Sequence, residues 1–247
     1  MRLAFISDIH GNLPALDAVL ADIATRGVDA TYHLGDLVGY GPWPNEVIER
    51  IRAEGIPGVA GNYDTTVAHG HPGCGCQHED PRHRALSGES YRWTAAHTSA
   101  SNRRFLATLP FRLDVRPFGG HAPGPALVLV HAAATLNTVY WHADRSDRFC
   151  AGMIRLLRAR DGDTILFGHT HKPWTRTFEG RTLVNTGSVG RPKDGDARGN
   201  YAIVDMREGA DVTFPRVSYD VDGAVAAIAA SGLPAELGTV LKTGGSL

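Results

Sequence analysis

The chain of 247 residues is poor in several things, and each shortage excludes something. Three cysteines, Cys74, Cys76 and Cys150, cannot make a disulfide framework, and one glycine between the first two is poor spacing for a structural bridge. A reducing, cytoplasmic compartment is expected. No apolar run approaches the length that spans a bilayer, and the opening "MRLAFISDIHGN" reaches an aspartate too soon for the apolar core of a secretory signal. Charge of one sign is also lacking: 25 Lys and Arg stand against 26 Asp and Glu, so no basic field argues for nucleic acid or a membrane surface as partner. Pro-, Gly- or Ser-rich linkers and internal repeats are missing, so one domain over residues 1–247 is expected.

Histidine is abundant instead, with twelve residues. It is the commonest metal ligand and the usual proton donor or acceptor near neutral pH. Position decides whether this matters. Short apolar runs at 3–7, 30–34, 56–60, 126–130, 164–167 and 181–184 read as strands buried on both faces. Further strands are expected at 175–178, 200–205 and 211–218, giving a more antiparallel second half. Helical periodicity marks 13–25, with Asn12 as N-cap and Pro14 in the first turn, and also 44–53, 147–160 and 222–231. One or two helices are expected within 86–108. Strand–helix alternation indicates an α/β fold.

Ligands in open α/β sheets sit beyond the carboxyl ends of the strands. Those ends carry Asp8, His10, Asp36, Asn62, His131, His169 and His171. Oxygen and nitrogen donors without a thiolate suit a divalent first-row metal, and seven are too many for one tetrahedral ion. They are the right number for two ions sharing a carboxylate. The alternation in "GHTH" puts His169 and His171 on one side of the chain. Two cations ~3.5–4 Å apart can clamp a phosphoryl group and activate water. Gly11, Gly35, Gly61 and Gly168 adjoin these positions, where a missing side chain permits sharp turns and leaves room.

The blocks "SDIHGN" (7–12), "GDLVGYGPWPNE" (35–46), "GNYD" (61–64), "VHA" (130–132) and "GHTHKP" (168–173) together resemble the calcineurin-like metallophosphoesterases. "VNTGSVGRPKDGD" (184–196) is similar to their small bacterial and archaeal phosphodiesterase branch, and the resemblance spans about residues 1–220. It implies a four-layer α/β/β/α sandwich. It also implies a dinuclear centre with Asp8, His10, Asp36 and His171 on one metal, and Asp36, Asn62, His131 and His169 on the other. Manganese is the preferred ion, with Fe, Zn, Co or Ni as substitutes.

The expected activity is hydrolysis of a phosphate ester, most of all a diester, by a hydroxide bridging the metals, on a small molecule such as a nucleotide. A phosphomonoesterase is the alternative. A non-catalytic scaffold of the same fold is the alternative of another class, disfavoured because all seven positions carry competent donors. In most such enzymes the third residue of the "GNYD" block is a histidine that protonates the leaving group. Here it is Tyr63, with a reference pKa of ~10 against ~6.5 for imidazole. Activated esters, including strained 2′,3′-cyclic phosphates, are therefore expected to be favoured. Asp36, Asn62, Tyr63 and Asp64 make up the expected catalytic block. His97 and His142 are the unassigned candidates for a substitute acid. Asn12, Asn185 and Arg191 are expected to support the metal ligands or touch substrate, with Lys193 beside them. The stretch 69–84, holding His69, His71, Cys74, Cys76 and His78, is expected as an exposed lid loop near the site rather than a separate zinc site, since CxC is not a knuckle spacing.

Overall fold

The computed structural model describes residues 1–77, 80–116, 124–207 and 210–246. The first half runs β1 (Arg2–Ile6), α1 (Leu13–Ala24), β2 (Ala30–His33), α2 (Pro44–Ala53), α3 (Asn62–His69), α4 (Pro81–His97) and α5 (Ala100–Leu106). Then follow β3 (Arg112–Val115), β4 (Leu127–Val130), α6 (Asp147–Leu157), β5 (Thr164–Phe167), β6 (Trp174–Phe178) and β7 (Arg181–Asn185). The chain closes with β8 (Gly199–Asn200), β9 (Ala202–Asp205), β10 (Asp211–Thr213), β11 (Arg216–Val217), α7 (Val221–Ser231) and α8 (Glu236–Thr243).

Two main sheets form, in the orders β10-β9-β1-β2 and β3-β4-β5-β7-β6, with β8 and β11 as a small pair. Strand parity explains the layering. Leu3 and Phe5 of β1, Leu127 and Leu129 of β4, and Ala202 and Val204 of β9 pack between the sheets. Their alternating neighbours face outward: Ala4, Ile6 and Ile203 meet α1, α2, α7 and α8, while Val128, Val130, Ile165 and Phe167 meet α6. Three apolar interfaces separate four layers, the α/β/β/α sandwich expected. β1 and β2 are parallel, as are β4, β5 and β7. Their carboxyl ends converge, because the His169 backbone N–H donates to Asp8 Oδ2 across the two sheets at 2.9 Å.

Local differences from the expectations have physical causes. Residues 56–60 form only a bridge between Gly58 and His33, because Pro57 has no N–H to continue a ladder. The helical region begins at Pro81, earlier than expected, because the Asp80 side chain accepts from the His83 N–H and proline suits the first turn. The stretch 69–84 is therefore not a loop throughout: His69 ends α3, and 81–84 are helical. Nor is it exposed throughout, since Cys74 is buried. His78 of this stretch lies outside the described residues, as does most of the turn-rich segment 116–125.

Candidate metal centre

The seven strand-end residues meet in one place, and none is more than 4% exposed. The backbone there is unusual. Eight non-glycine described residues have positive φ, and five of them are Asp8, His10, Asp36, His169 and His171. Such conformations cost of order ~1–3 kcal/mol each and persist only where the surroundings impose them. Two glycines form the cradle: a Cβ on Gly61 would lie 2.1 Å from Asp36 Oδ1, and one on Gly168 would lie 2.3 Å from Asp8 Oδ2.

Hydrogen bonds fix which atoms face inward. His10 Nδ1 donates to Val38 O (3.0 Å), His131 Nδ1 to Leu34 O (2.7 Å) and His171 Nδ1 to Arg191 O (2.6 Å). A carbonyl can only accept, so each Nδ1 carries a proton, and in a neutral ring Nε2 is a bare lone pair. Burial, with His171 for His10 and with Lys193 for His171, holds both imidazoles below their usual pKa and therefore neutral. Yet the Nε2 atoms of His10 and His171 are 3.2 Å apart, and Asp8 Oδ1 lies 3.2 Å from His171 Nε2. Asp8 Oδ1 and His169 Nε2, both buried, make no hydrogen bond.

The second cluster differs in charge. Asn62 Nδ2 donates to Cys74 O (3.0 Å) and Cys76 Sγ (3.1 Å), which turns Asn62 Oδ1 toward His131 Nε2 at 3.2 Å. Asp36 accepts the Tyr63 N–H on Oδ1 (2.9 Å), at the first turn of α3. Its Oδ2 lies 3.5 Å from His131 Nε2 and 3.7 Å from His10 Nε2, between the two clusters. Against burial, Asp36 and Asp8 push the His131 imidazole up to about 9. Acceptors crowding acceptors in the first cluster, and carboxylates drawing a proton onto His131 in the second, both call for positive charge in their midst. Asp8, His10 and His171 form one group able to hold a metal ion; Asp36, His131 and His169 form another. The residues fit a divalent pair.

Residues around this core divide by role. Asp64 accepts from the N–H groups of Leu37 and Gly61, both at 2.9 Å, so it ties the Asp36 turn to the start of α3. Burial and the nearby Asp36 charge raise its carboxyl to about 7. The Tyr63 hydroxyl is buried against Ser87 Oγ (3.1 Å), and burial raises its pKa well above the phenol range. Asn185 Nδ2 donates to Gly168 O (2.7 Å) and Thr170 Oγ1 (3.0 Å), holding the loop that carries His169 and His171. Asn12 caps α1 through the Ala15 N–H and donates to Gly190 O and the Tyr219 hydroxyl, a tie between the chain's ends that its sequence position did not signal. Arg191 lies buried with its guanidinium 4.0 Å from the Tyr40 ring centre. Burial and Arg191 lower the Lys193 ammonium to about 8, although Asp8 and Asp36 oppose this.

An open cleft of about 1030 Å³ adjoins the centre, lined by Cys76, Arg84, Tyr140, His142, Arg145 and Phe149 among others. The Tyr140 ring packs 4.5 Å from that of His169, so the cleft meets the centre on its Asn62–His131–His169 side. His97 stacks on Trp93 at 3.9 Å at the end of α4 and does not line this cleft.

The profile of the calcineurin-like phosphoesterase superfamily domain matches residues 1–209. The chain belongs to the calcineurin-like phosphoesterase superfamily. An uncharacterized protein of Methanocaldococcus jannaschii is 32% identical over 98% of both chains. The crystal structure of a metallophosphoesterase from Sphaerobacter thermophilus is 31% identical, with a TM-score of 0.77 over 99% of both chains. Phosphodiesterase YfcE of Escherichia coli is 39% identical over 77 residues, 27% of this chain and 42% of that protein. Superfamily membership and these relatives support a hydrolase of phosphate esters, and the two buried triads of this superfamily member are its candidate metal sites.

Proposed function

We propose that the protein is a cytoplasmic phosphodiesterase working with two divalent cations, Mn²⁺ preferred. Asp8, His10, Asp36 and His171 hold one, and Asp36, Asn62, His131 and His169 hold the other, with Asp36 shared. The observation that carries this reading is a confrontation of acceptors: the bare Nε2 atoms of His10 and His171 face each other and Asp8 Oδ1 in a buried space, beside an Asp36 carboxylate that draws positive charge onto His131. When bound, two such cations lower the pKa of a coordinated water and neutralise the phosphoryl oxygens.

The chain's own side chains do the rest. Lys193 and Arg191, at the Asp8–His171 side, supply positive charge for the non-bridging oxygens of the substrate. The cleft receives the leaving group, with Tyr140 and Phe149 offering ring faces and Arg145 a cation. Tyr63 cannot serve as proton donor, because its hydroxyl is engaged with Ser87 and strongly disfavours ionisation. His142, on the cleft wall, is the candidate donor, although burial lowers its pKa. A donor that is less often protonated at neutral pH favours esters whose leaving group needs little protonation: aryl diesters and strained 2′,3′-cyclic nucleotides.

The experiment is a plate of phosphate mono- and diesters assayed with each of Mn²⁺, Fe²⁺, Co²⁺, Ni²⁺ and Zn²⁺. Metal-dependent hydrolysis of aryl and cyclic diesters above monoesters is expected. Faster monoester hydrolysis would make it a phosphomonoesterase, and two bound metals without any hydrolysis would make it a scaffold.

A further inference from the structure

The loop Cys74-Gly75-Cys76 holds the amide of Asn62 from two sides. Nδ2 donates to the Cys74 carbonyl and to Cys76 Sγ, at 3.0 and 3.1 Å. With both amide protons spent, only Oδ1 is left to face His131. Gly75, at φ 75°, turns the loop so that the Cys76 N–H donates back to Cys74 Sγ at 3.3 Å. Cys74 is buried, its Sγ 3.5 Å from Ser87 Oγ. Cys76 is only partly buried and lines the open cleft. Both thiols are free, as is Cys150 on α6.

We propose that Cys74 and Cys76 are an oxidation site that controls the metal site on the Asn62 side; the control rests on Asn62 being a ligand. The reaction is thiol–disulfide exchange with a low-molecular-weight disulfide: Cys76–SH and Cys74–SH plus RSSR give the Cys74–Cys76 disulfide and two RSH. The first exchange forms a Cys76–SR mixed disulfide and releases one thiol. Cys74 sulfur then displaces the second as the S–S bond closes. Closing that bond to ~2.05 Å requires one sulfur to move. Cys74 is pinned by Ser87 and its burial, so Cys76 moves, and Asn62 loses a hydrogen-bond partner. Its amide is then free to rotate, and Oδ1 no longer points steadily inward. Support of this kind is typically worth ~10–100-fold in metal affinity. The poor spacing that makes CxC an unlikely structural bridge makes it a suitable reversible one, because a strained disulfide is easily reduced.

The test uses the purified full chain loaded with Mn²⁺. It is incubated with glutathione disulfide, desalted, and divided for intact and peptide mass spectrometry and for elemental analysis. The expected result is a Cys74–Cys76 peptide lighter by two hydrogens, loss of about one of two metals per chain under limiting Mn²⁺, and recovery of both states with dithiothreitol. Cys150→Ser behaves as wild type. Cys76→Ser, which keeps an acceptor for Asn62, retains its metals and no longer responds. A disulfide that forms while metal content stays constant overturns the proposal, as does a stable glutathione adduct with no internal bond. Hydrolysis is assayed in parallel. Loss of a metal in a protein that cleaves no ester leaves this inference standing and defeats the phosphodiesterase reading. Unchanged metal content and rate in the disulfide form does the reverse.

Discussion

Asp8 Oδ1 and His171 Nε2 face each other at 3.2 Å, and neither has a proton to give. The other nitrogen of His171 donates its proton to the Arg191 carbonyl. Asp8 Oδ2 already accepts from the Ser7 hydroxyl and the His169 N–H, which leaves Oδ1 without a donor. Two buried acceptors held at this distance repel unless a cation lies between them, so the pair marks a candidate place for one.

Tyr63 provides the first prediction. Its hydroxyl is bonded to Ser87 within the core, so Tyr63→Phe is expected to leave the rate on an aryl diester within about 3-fold of wild type and to cost about 1 kcal/mol of stability. Tyr63→His, whose ring would lie beside His10, is expected to raise the rate on an alkyl diester more than on an aryl diester, since general acid catalysis is worth ~10²–10⁴-fold where the leaving group needs it. Steady-state rates on both esters for the three proteins check this. A large loss in Tyr63→Phe would show that the phenol itself takes part.

His142 and His97 provide the second. His142 lines the cleft beside Tyr140, while His97 is stacked on Trp93. His142→Ala is expected to slow alkyl diesters by ~10-fold or more and aryl diesters much less, and His97→Ala to change neither. Equal losses on both esters in His142→Ala would assign this ring to binding instead of proton transfer.

His33 provides a prediction of stability. Its ring is wholly buried with neither nitrogen hydrogen-bonded, and burial lowers its pKa to about 3 from the ordinary 6.5. The folded state therefore binds this proton less readily than the unfolded state. Stability from the neutral ring is complete above pH 6.5 and falls as pH drops toward 3, by up to ~1.4 kcal/mol per pH unit. Urea unfolding of wild type and His33→Leu at pH 7, 5.5 and 4.5 is expected to show the variant losing less stability over this range. Parallel pH dependences would contradict the assignment.

The ligand candidates were legible because each stands at the end of an apolar run, and strand ends are where parallel sheets present side chains. The continuous apolar runs of β1 and β4 likewise made the strands buried on both faces readable. What the sequence hid depends on contacts far apart in the chain. Asp64 reads as part of a catalytic block, yet its carboxylate is spent on the N–H groups of Leu37 and Gly61. Asn12 reads as a helix cap, which it is, but its bond to Tyr219 needs the C-terminal segment folded back. Nothing in "CGC" announces that it grips the Asn62 amide, because a side chain–backbone bond across a turn has no periodicity. Residues 56–60 look like a strand by composition, but Pro57 has no N–H to extend the ladder on one side and the Ala60 N–H turns to Pro110 O on the other.

Metal stoichiometry of the wild type and Asp36→Asn tests the central claim most directly. Asp36 Oδ2 lies 3.7 Å from His10 Nε2 and 3.5 Å from His131 Nε2, so one carboxylate is within reach of both clusters. Protein purified without chelator, reloaded with Mn²⁺ and desalted, is expected to hold about two ions per chain by elemental analysis. Asp36→Asn, folded by circular dichroism, is expected to hold fewer than about one and to lose diester hydrolysis by ~10²-fold or more, because each site loses its shared anion. Wild type holding fewer than about one ion, or Asp36→Asn retaining both, would contradict a dinuclear centre built around Asp36.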